Sequence, residues 1–311
     1  MRQKLTVAGV LILLLFLLRF PAQALFAARE GMALWLNTLL PILLPFMILT
    51  GILLHSGSLE KLLDPLSFFW KKFLGLSPWG AYVFVLGMLC GFPMGAKLSA
   101  DLYAAGKISR REAEYLLTFA NNPSPSFLLS YLAASCLGGR TSGREILAIL
   151  FLSSMLCMLF FRFVVYKNHT TGIPTENPEK KETSHSPTGA IVDASIMNGF
   201  ETITRLGGYI LIFSLLSAFI RHYWPFSRVS GGLLLGITEI TTGLHTLSAL
   251  GLPYDWLYLF SMCATAFGGL CILAQTKSVL NRQLSLLPYV AAKCLSAVFT
   301  AGLVLLHLFL V

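Results

Sequence analysis

Long apolar blocks run the length of the chain, separated by short stretches rich in glycine, proline and isolated charges. Residues 5–18, 33–54, 144–165, 206–220 and 286–311 are apolar almost throughout, and about 20 such residues in a helix span the hydrocarbon core of a bilayer. Two basic residues precede the first block and Ala22-Gln23-Ala24 follows it, the outline of a cleavable secretory signal. The apolar stretch resumes at Ala24, so an uncleaved first helix is the better reading and cleavage the alternative. Residues 58–74 mix Glu60, Lys61, Asp64, Lys71 and Lys72 with leucines and aromatics. That mixture fits either a helix lying in the membrane interface or a short helix in a cytoplasmic loop.

Four apolar runs are interrupted where an ordinary spanning helix would not be. Residues 78–91 give only about 20 Å of helix before the sequence Gly91-Phe92-Pro93-Met94-Gly95, short of a hydrocarbon core of about 30 Å. The run from Glu112 is broken by Asn121-Asn122-Pro123-Ser124-Pro125-Ser126, and that from Gly231 by Thr238-Glu239-Ile240-Thr241-Thr242-Gly243. The run from Tyr254 is broken by Gly268-Gly269. Irregular backbone at membrane depth is tolerated only where protein or a cavity surrounds it, so these helices are expected to break inside the molecule.

The breaks repeat. Thr38 and a long apolar helix match Thr202 and another, Gly87 and Gly91 match Gly232 and Gly236, and Asn121 matches Gly268. Gly91 to Asn121 is 30 positions and Gly236 to Gly268 is 32; an insertion at 58–74 accounts for the longer approach in the first copy. Small-xxx-small spacing alone marks helix packing. Paired interruptions in two halves point instead to a transporter site. The expected fold is therefore an all-α polytopic membrane protein with two repeats of broken or re-entrant helices. Its parts are a first helix (1–32), a first repeat with its following helix (33–166), a polar, proline-containing linker (167–189), a second repeat (190–285) and a last helix (286–311).

Composition agrees: 56% of the 311 residues are hydrophobic and 12% charged, about half the charge of an average soluble domain. The net charge of +9 is spread singly and in pairs between apolar blocks, the pattern of cytoplasmic loops, so nucleic acid is not an expected partner. If every segment crossed completely, both faces would be about equally basic, so hairpins that return to one side fit the loop charges better. The six cysteines lie in apolar stretches without a CxxC pair, and neither a metal nor a cofactor is expected. No HExxH, GxSxG or P-loop motif is present, and the chain is not expected to be an enzyme.

Residues 90–129, CGFPMGAKLSADLYAAGKISRREAEYLLTFANNPSPSFLL, resemble the YlbJ family, also called SpoVV, of sporulation integral membrane proteins, through the GFPxGAK and NNPSP elements and their spacing. The resemblance extends loosely over most of the chain, including TEITTG at 238–243. It implies Gate, or nucleoside-recognition, repeats, as in concentrative nucleoside transporters and the SpmA and SpmB spore maturation proteins. It also implies transport of dipicolinic acid across the outer forespore membrane of a bacterial cell. The NEFVA element of the nucleoside transporters is not visible, which weighs against a nucleoside as cargo.

The residues suit such an anion. Pro93 and Pro123 stand where proline favours the first turn of a helix, with Asn122 as a cap, and half-helix starts attract carboxylates; a mere kink at each proline is the alternative. The candidate site is Gly91, Pro93, Gly95, Lys97, Asn121, Asn122, Ser124 and Ser126, closed by Thr238, Glu239, Thr241, Thr242 and Gly268 of the second repeat. Glu239, a carboxylate amid an apolar run, reads as a proton-coupling group or as the partner of Lys97 or Arg205; a structural ion pair between repeats is the alternative. The expected partners are a small anionic substrate, the lipid bilayer, and further copies of the chain or other sporulation membrane proteins. A nucleoside or other small-solute transporter and a non-transporting sporulation scaffold remain the competing readings.

Overall fold

The computed structural model describes residues 2–56, 68, 70–167 and 188–310. The expectations for most of 58–74 and for the linker therefore fall largely outside the described residues. Five helices among these are long and apolar enough to cross a membrane. Large apolar side chains such as Ile212, Val298, Leu305 and Phe309 point outward from them, as a lipid-facing surface requires.

The helix Arg2–Arg19 turns at Phe20 into Pro21–Leu34, which runs through a π-helical turn at Trp35–Leu39 into Leu40–Ser56. This long rod packs against the helix Thr188–Tyr223 through small residues. Gly51 faces Ser195, Gly31 faces Ser214, and Gly207 lies under the Trp35 ring, whose Nε1 donates to the Ile203 carbonyl at 2.8 Å.

Next come Pro78–Cys90 and Met94–Ala104, and they form a hairpin. Ser77 caps its first helix, accepting from the Gly80 N–H at 3.1 Å, with Pro78 in the first turn. Lys107, just after the hairpin, returns to Trp79 at its beginning, the ammonium 5.2 Å from the ring centre. The chain then makes an interrupted crossing, Arg110–Leu117 followed by the π-helical Phe127–Cys136, and comes back through Gly143–Phe160. Ser109 caps the crossing, accepting from the Glu112 N–H, while the Glu112 carboxylate accepts from the Ser77 N–H at 2.7 Å and so ties crossing to hairpin.

The second half repeats this order upside down. Thr188–Tyr223 leads to a hairpin of Arg228–Thr238 and Ile240–Ser248, an interrupted crossing of Tyr254–Phe267 and Gly269–Val279, and a returning helix Leu287–Leu310. The first crossing ends beside the start of the second, where Thr141 and Tyr254 share a hydrogen bond and Arg140 lies over the Tyr254 ring. The second crossing ends back at the first hairpin's open end, with the Tyr103 hydroxyl donating to Gln283 at 2.8 Å. One hairpin thus enters from the Trp79 end of the molecule and the other from the Tyr254 end. The two repeats are related by inversion across the membrane plane. The returning helices meet in the middle, where Ser153 donates to the Ser296 carbonyl at 2.9 Å and Thr300 donates to Ser153 at 2.9 Å.

All four expected breaks are present, but the repeat register moves by about one helical turn. The second hairpin breaks at Glu239 and not at Gly236, and Glu239 to Gly268 is 29 positions against 30 from Gly91 to Asn121. The glycine pairs that correspond in space are Gly87 with Gly95 and Gly236 with Gly243, each pair flanking a hairpin tip. A Cβ on Gly87 or Gly95 would run into the Ala120 carbonyl, and one on Gly243 would run into the Gly236 backbone.

Candidate site at the four helix breaks

The four breaks touch in sequence. Gly91, at φ 83° where only glycine is unstrained, lets the first hairpin tip lie against Ser124; a Cβ there would stand 2.6 Å from the Ser124 nitrogen. Phe92, next in the tip, reaches across to Gly268, which ends Tyr254–Phe267 in the left-handed conformation at φ 85°. Its neighbour Gly269 faces the Gly236 and Ile237 carbonyls and the Ile240 nitrogen of the second hairpin tip. One run of contacts therefore joins Ser124, Gly91, Phe92, Gly268, Gly269 and the Glu239 break.

Asn121 is fully buried, and it connects the repeats. Its amide oxygen accepts from the Ala96 N–H at 3.4 Å, in the first turn of Met94–Ala104, and its nitrogen donates to Thr276 at 3.1 Å. Pro93, expected in that first turn, is instead the cap residue before it, and part of the turn's anion-attracting capacity is already taken up by this asparagine. The second start is displaced from the expectation. Ser124 caps it, accepting from the Phe127 N–H at 3.3 Å, with Pro125 in the first turn; Pro123 lies before the helix, and Ser126 shares a hydrogen bond with Ser124. Asn122 is therefore not the cap. Its nitrogen donates to the Phe119 carbonyl at 2.6 Å and to Ser154 at 2.9 Å, which leaves its oxygen facing inward.

Glu239 is nearly buried and caps its own hairpin helix, accepting from the N–H groups of Thr241 and Thr242 and from the Thr241 hydroxyl. A carboxylate at a helix start is well placed against the helix dipole. Neither expected cation is its partner: Lys97 pairs with Asp101 at 2.6 Å and donates to Asn198, and Arg205 pairs with Glu201. Lys97 thus serves the contact between the first hairpin and Thr188–Tyr223, away from the breaks. Thr238 donates to the Leu234 carbonyl and Thr242 accepts from Thr246, so these hydroxyl and carbonyl groups are engaged within their own hairpin.

The residue that sequence reasoning passed over is Lys293. It is 2% exposed in the returning helix Leu287–Leu310, donates to the Asn122 oxygen at 2.7 Å, and lies 4.8 Å from the centre of the Phe92 ring. Its signal was in the sequence, because it is a lone charge in an apolar run, the criterion that singled out Glu239. Beside Asn122 opens a cavity of about 380 Å³, with Pro123, Leu128, Phe151 and Ala266 among its walls. Among the described residues no group of His, Cys, Asp and Glu is arranged to hold a metal ion.

Residues 36–170, the first repeat, match the Gate family, described as nucleoside recognition. The sporulation integral membrane protein YlbJ of Bacillus subtilis (strain 168) is 26% identical over 322 aligned positions, covering 92% of this chain and 78% of that protein. No solved structure matches the chain. The chain is a helical integral membrane protein, matched to the Gate family over residues 36–170 and similar along most of its length to YlbJ.

Proposed function

We propose that the protein is a membrane carrier of sporulation that moves a small dicarboxylate, dipicolinic acid, across the outer forespore membrane, and that it performs no catalysis. The observation that carries this reading is the chain of contacts that joins four helix breaks, two from each repeat, with the buried Lys293 against the two breaks of the first, at Phe92 and Asn122. Inverted repeats with discontinuous helices at mid-membrane are the architecture of secondary carriers, and their crossing point is where cargo binds. A scaffold has no use for a lysine, two asparagines and a glutamate held at that depth, because polar groups there are costly. The sporulation role is supported by the name of the relative, and the anion by the resemblance together with a cation at the centre.

The test is flux of dipicolinate into vesicles containing the purified protein, with and without a pH gradient. Uptake above that of empty vesicles is expected, and its absence under both conditions would remove the reading. A nucleoside is favoured by one observation, the description of the matching family. Uridine or adenosine displacing bound ligand at concentrations where dipicolinate does not would decide for it.

A further inference from the structure

Lys293 is buried deep in the molecule, and among the described residues no carboxylate stands against it. The carboxylates that pair with cations among the described residues are those of Asp101, Glu114, Glu145 and Glu201, and none of them reaches Lys293. What the ammonium has is two aromatic rings, Phe92 and Tyr289, and the neutral amide oxygen of Asn122. A hydrogen bond to an amide satisfies a donor but would not balance an ammonium's charge, and a lysine kept at that depth without a counter-ion is costly enough to imply a use.

The cavity lies on the other side of Asn122 and is apolar almost throughout. Its polar wall is Asn122 together with Ser296, which sits one turn beyond Lys293 on the same helix. A slot with apolar walls and a positive pole behind one amide suits a flat apolar body that ends in a carboxylate. We infer that Asn122 keeps the place of a cargo carboxylate: an aromatic carboxylate enters the slot with its ring against Pro123, Leu128 and Phe151, and its carboxylate replaces the Asn122 oxygen on Lys293. For the exchange the Asn122 side chain turns away from Lys293 and releases its nitrogen from Phe119 and Ser154. The cargo supplies the missing counter-charge, and occupancy is sensed by the returning helix of one repeat and the broken crossing of the other. This inference rests on the carrier reading above and adds to it the residue that recognises the anion and the class of its cargo.

The experiment measures ligand-induced thermal stabilisation of the full chain in detergent, using pyridine-2-carboxylate, pyridine-2,6-dicarboxylate and the uncharged pyridine-2-carboxamide. The two carboxylates should stabilise the wild type and the carboxamide should not. Lys293→Met and Asn122→Asp should each weaken carboxylate binding about tenfold or more, since a charge-assisted hydrogen bond is lost in one and permanently occupied in the other. Asn122→Asp gives Lys293 a fixed counter-ion but loses the hydrogen bond to the Phe119 carbonyl, so it should melt above Asn122→Leu, which loses the same bond and adds no charge; if Lys293→Met does not fold, Asn122→Asp decides alone. Wild-type affinity in Asn122→Asp, or equal stabilisation by the carboxamide, would overturn the site while leaving the carrier reading intact. A wild type that neither binds nor transports either carboxylate would overturn both.

Discussion

Lys107 stands with its ammonium 5.2 Å from the centre of the Trp79 ring, so the residue that follows the first hairpin meets the residue that begins it. The pair closes the hairpin at one end of the molecule. Lys71, Lys72, Arg110, Arg111, Arg162 and Lys167 lie near that end, where the Arg162 guanidinium donates to the Phe73 and Lys72 carbonyls and the Tyr115 ring meets that of Tyr166. Arg140, Arg144, Arg221 and Arg228 lie at the opposite end, a smaller number.

From this bias in basic residues the Trp79 end is expected to face the cytoplasm. Single cysteines introduced into a cysteine-free background at the exposed positions Ala105 and Arg282 are expected to resist a membrane-impermeant thiol reagent added outside intact cells. Cysteines at Arg144 and Asp255 are expected to react with it. Labelling of Ala105 and Arg144 from the same side would contradict the inverted arrangement as well as the orientation.

The hairpin tips depend on backbone contact, which sets up a sharp contrast among glycines. Gly87→Ala and Gly95→Ala place a methyl against the Ala120 carbonyl, and each is expected to destabilise by about 1–3 kcal/mol, read as a lower melting temperature in detergent. Gly302→Ala, in the open flank of the last helix, meets nothing within 4 Å and should be neutral or stabilising by about 1 kcal/mol or less. Equal effects at the three positions would argue against the close approach at the tips.

Glu239 caps the helix it begins, and this gives its variants distinct outcomes. Glu239→Ala strands two half-buried N–H groups and should cost about 1–2 kcal/mol. Glu239→Gln keeps an acceptor oxygen and should retain both the fold and carboxylate uptake. Loss of uptake and of its pH dependence in a folded Glu239→Gln protein would restore the residue to a proton-coupling role.

The positions of the breaks were legible because each combines a residue that cannot continue a helix, or a charge, with an otherwise apolar run: Gly91 and Pro93, Asn121 to Pro125, Glu239, and Gly268 with Gly269. The inversion of the repeats was not legible, since a hairpin and a full crossing share the same apolar pattern and differ only in where the chain comes back. Matching glycines in sequence placed Gly236 opposite Gly91, whereas the contacts put Gly236 in the role of Gly87; a shift of about one turn preserves the helical face and leaves the pattern unchanged. Asn122 looked like a cap because it precedes a proline. Its actual partners are Lys293, 171 positions away, and Ser154, and no local pattern records a contact of that span.

The two crossings are wound differently. Phe127–Cys136 is π-helical for ten residues, while its counterpart Gly269–Val279 is an ordinary α-helix. A carrier of inverted repeats reaches its opposite-facing state when the repeats exchange conformations, and with identical repeats the two states would be equal in energy. Here the exchange would ask an α-wound segment to do the work of an over-wide one, and the reverse. On the carrier reading, the two directions of access are therefore expected to be unequal in energy.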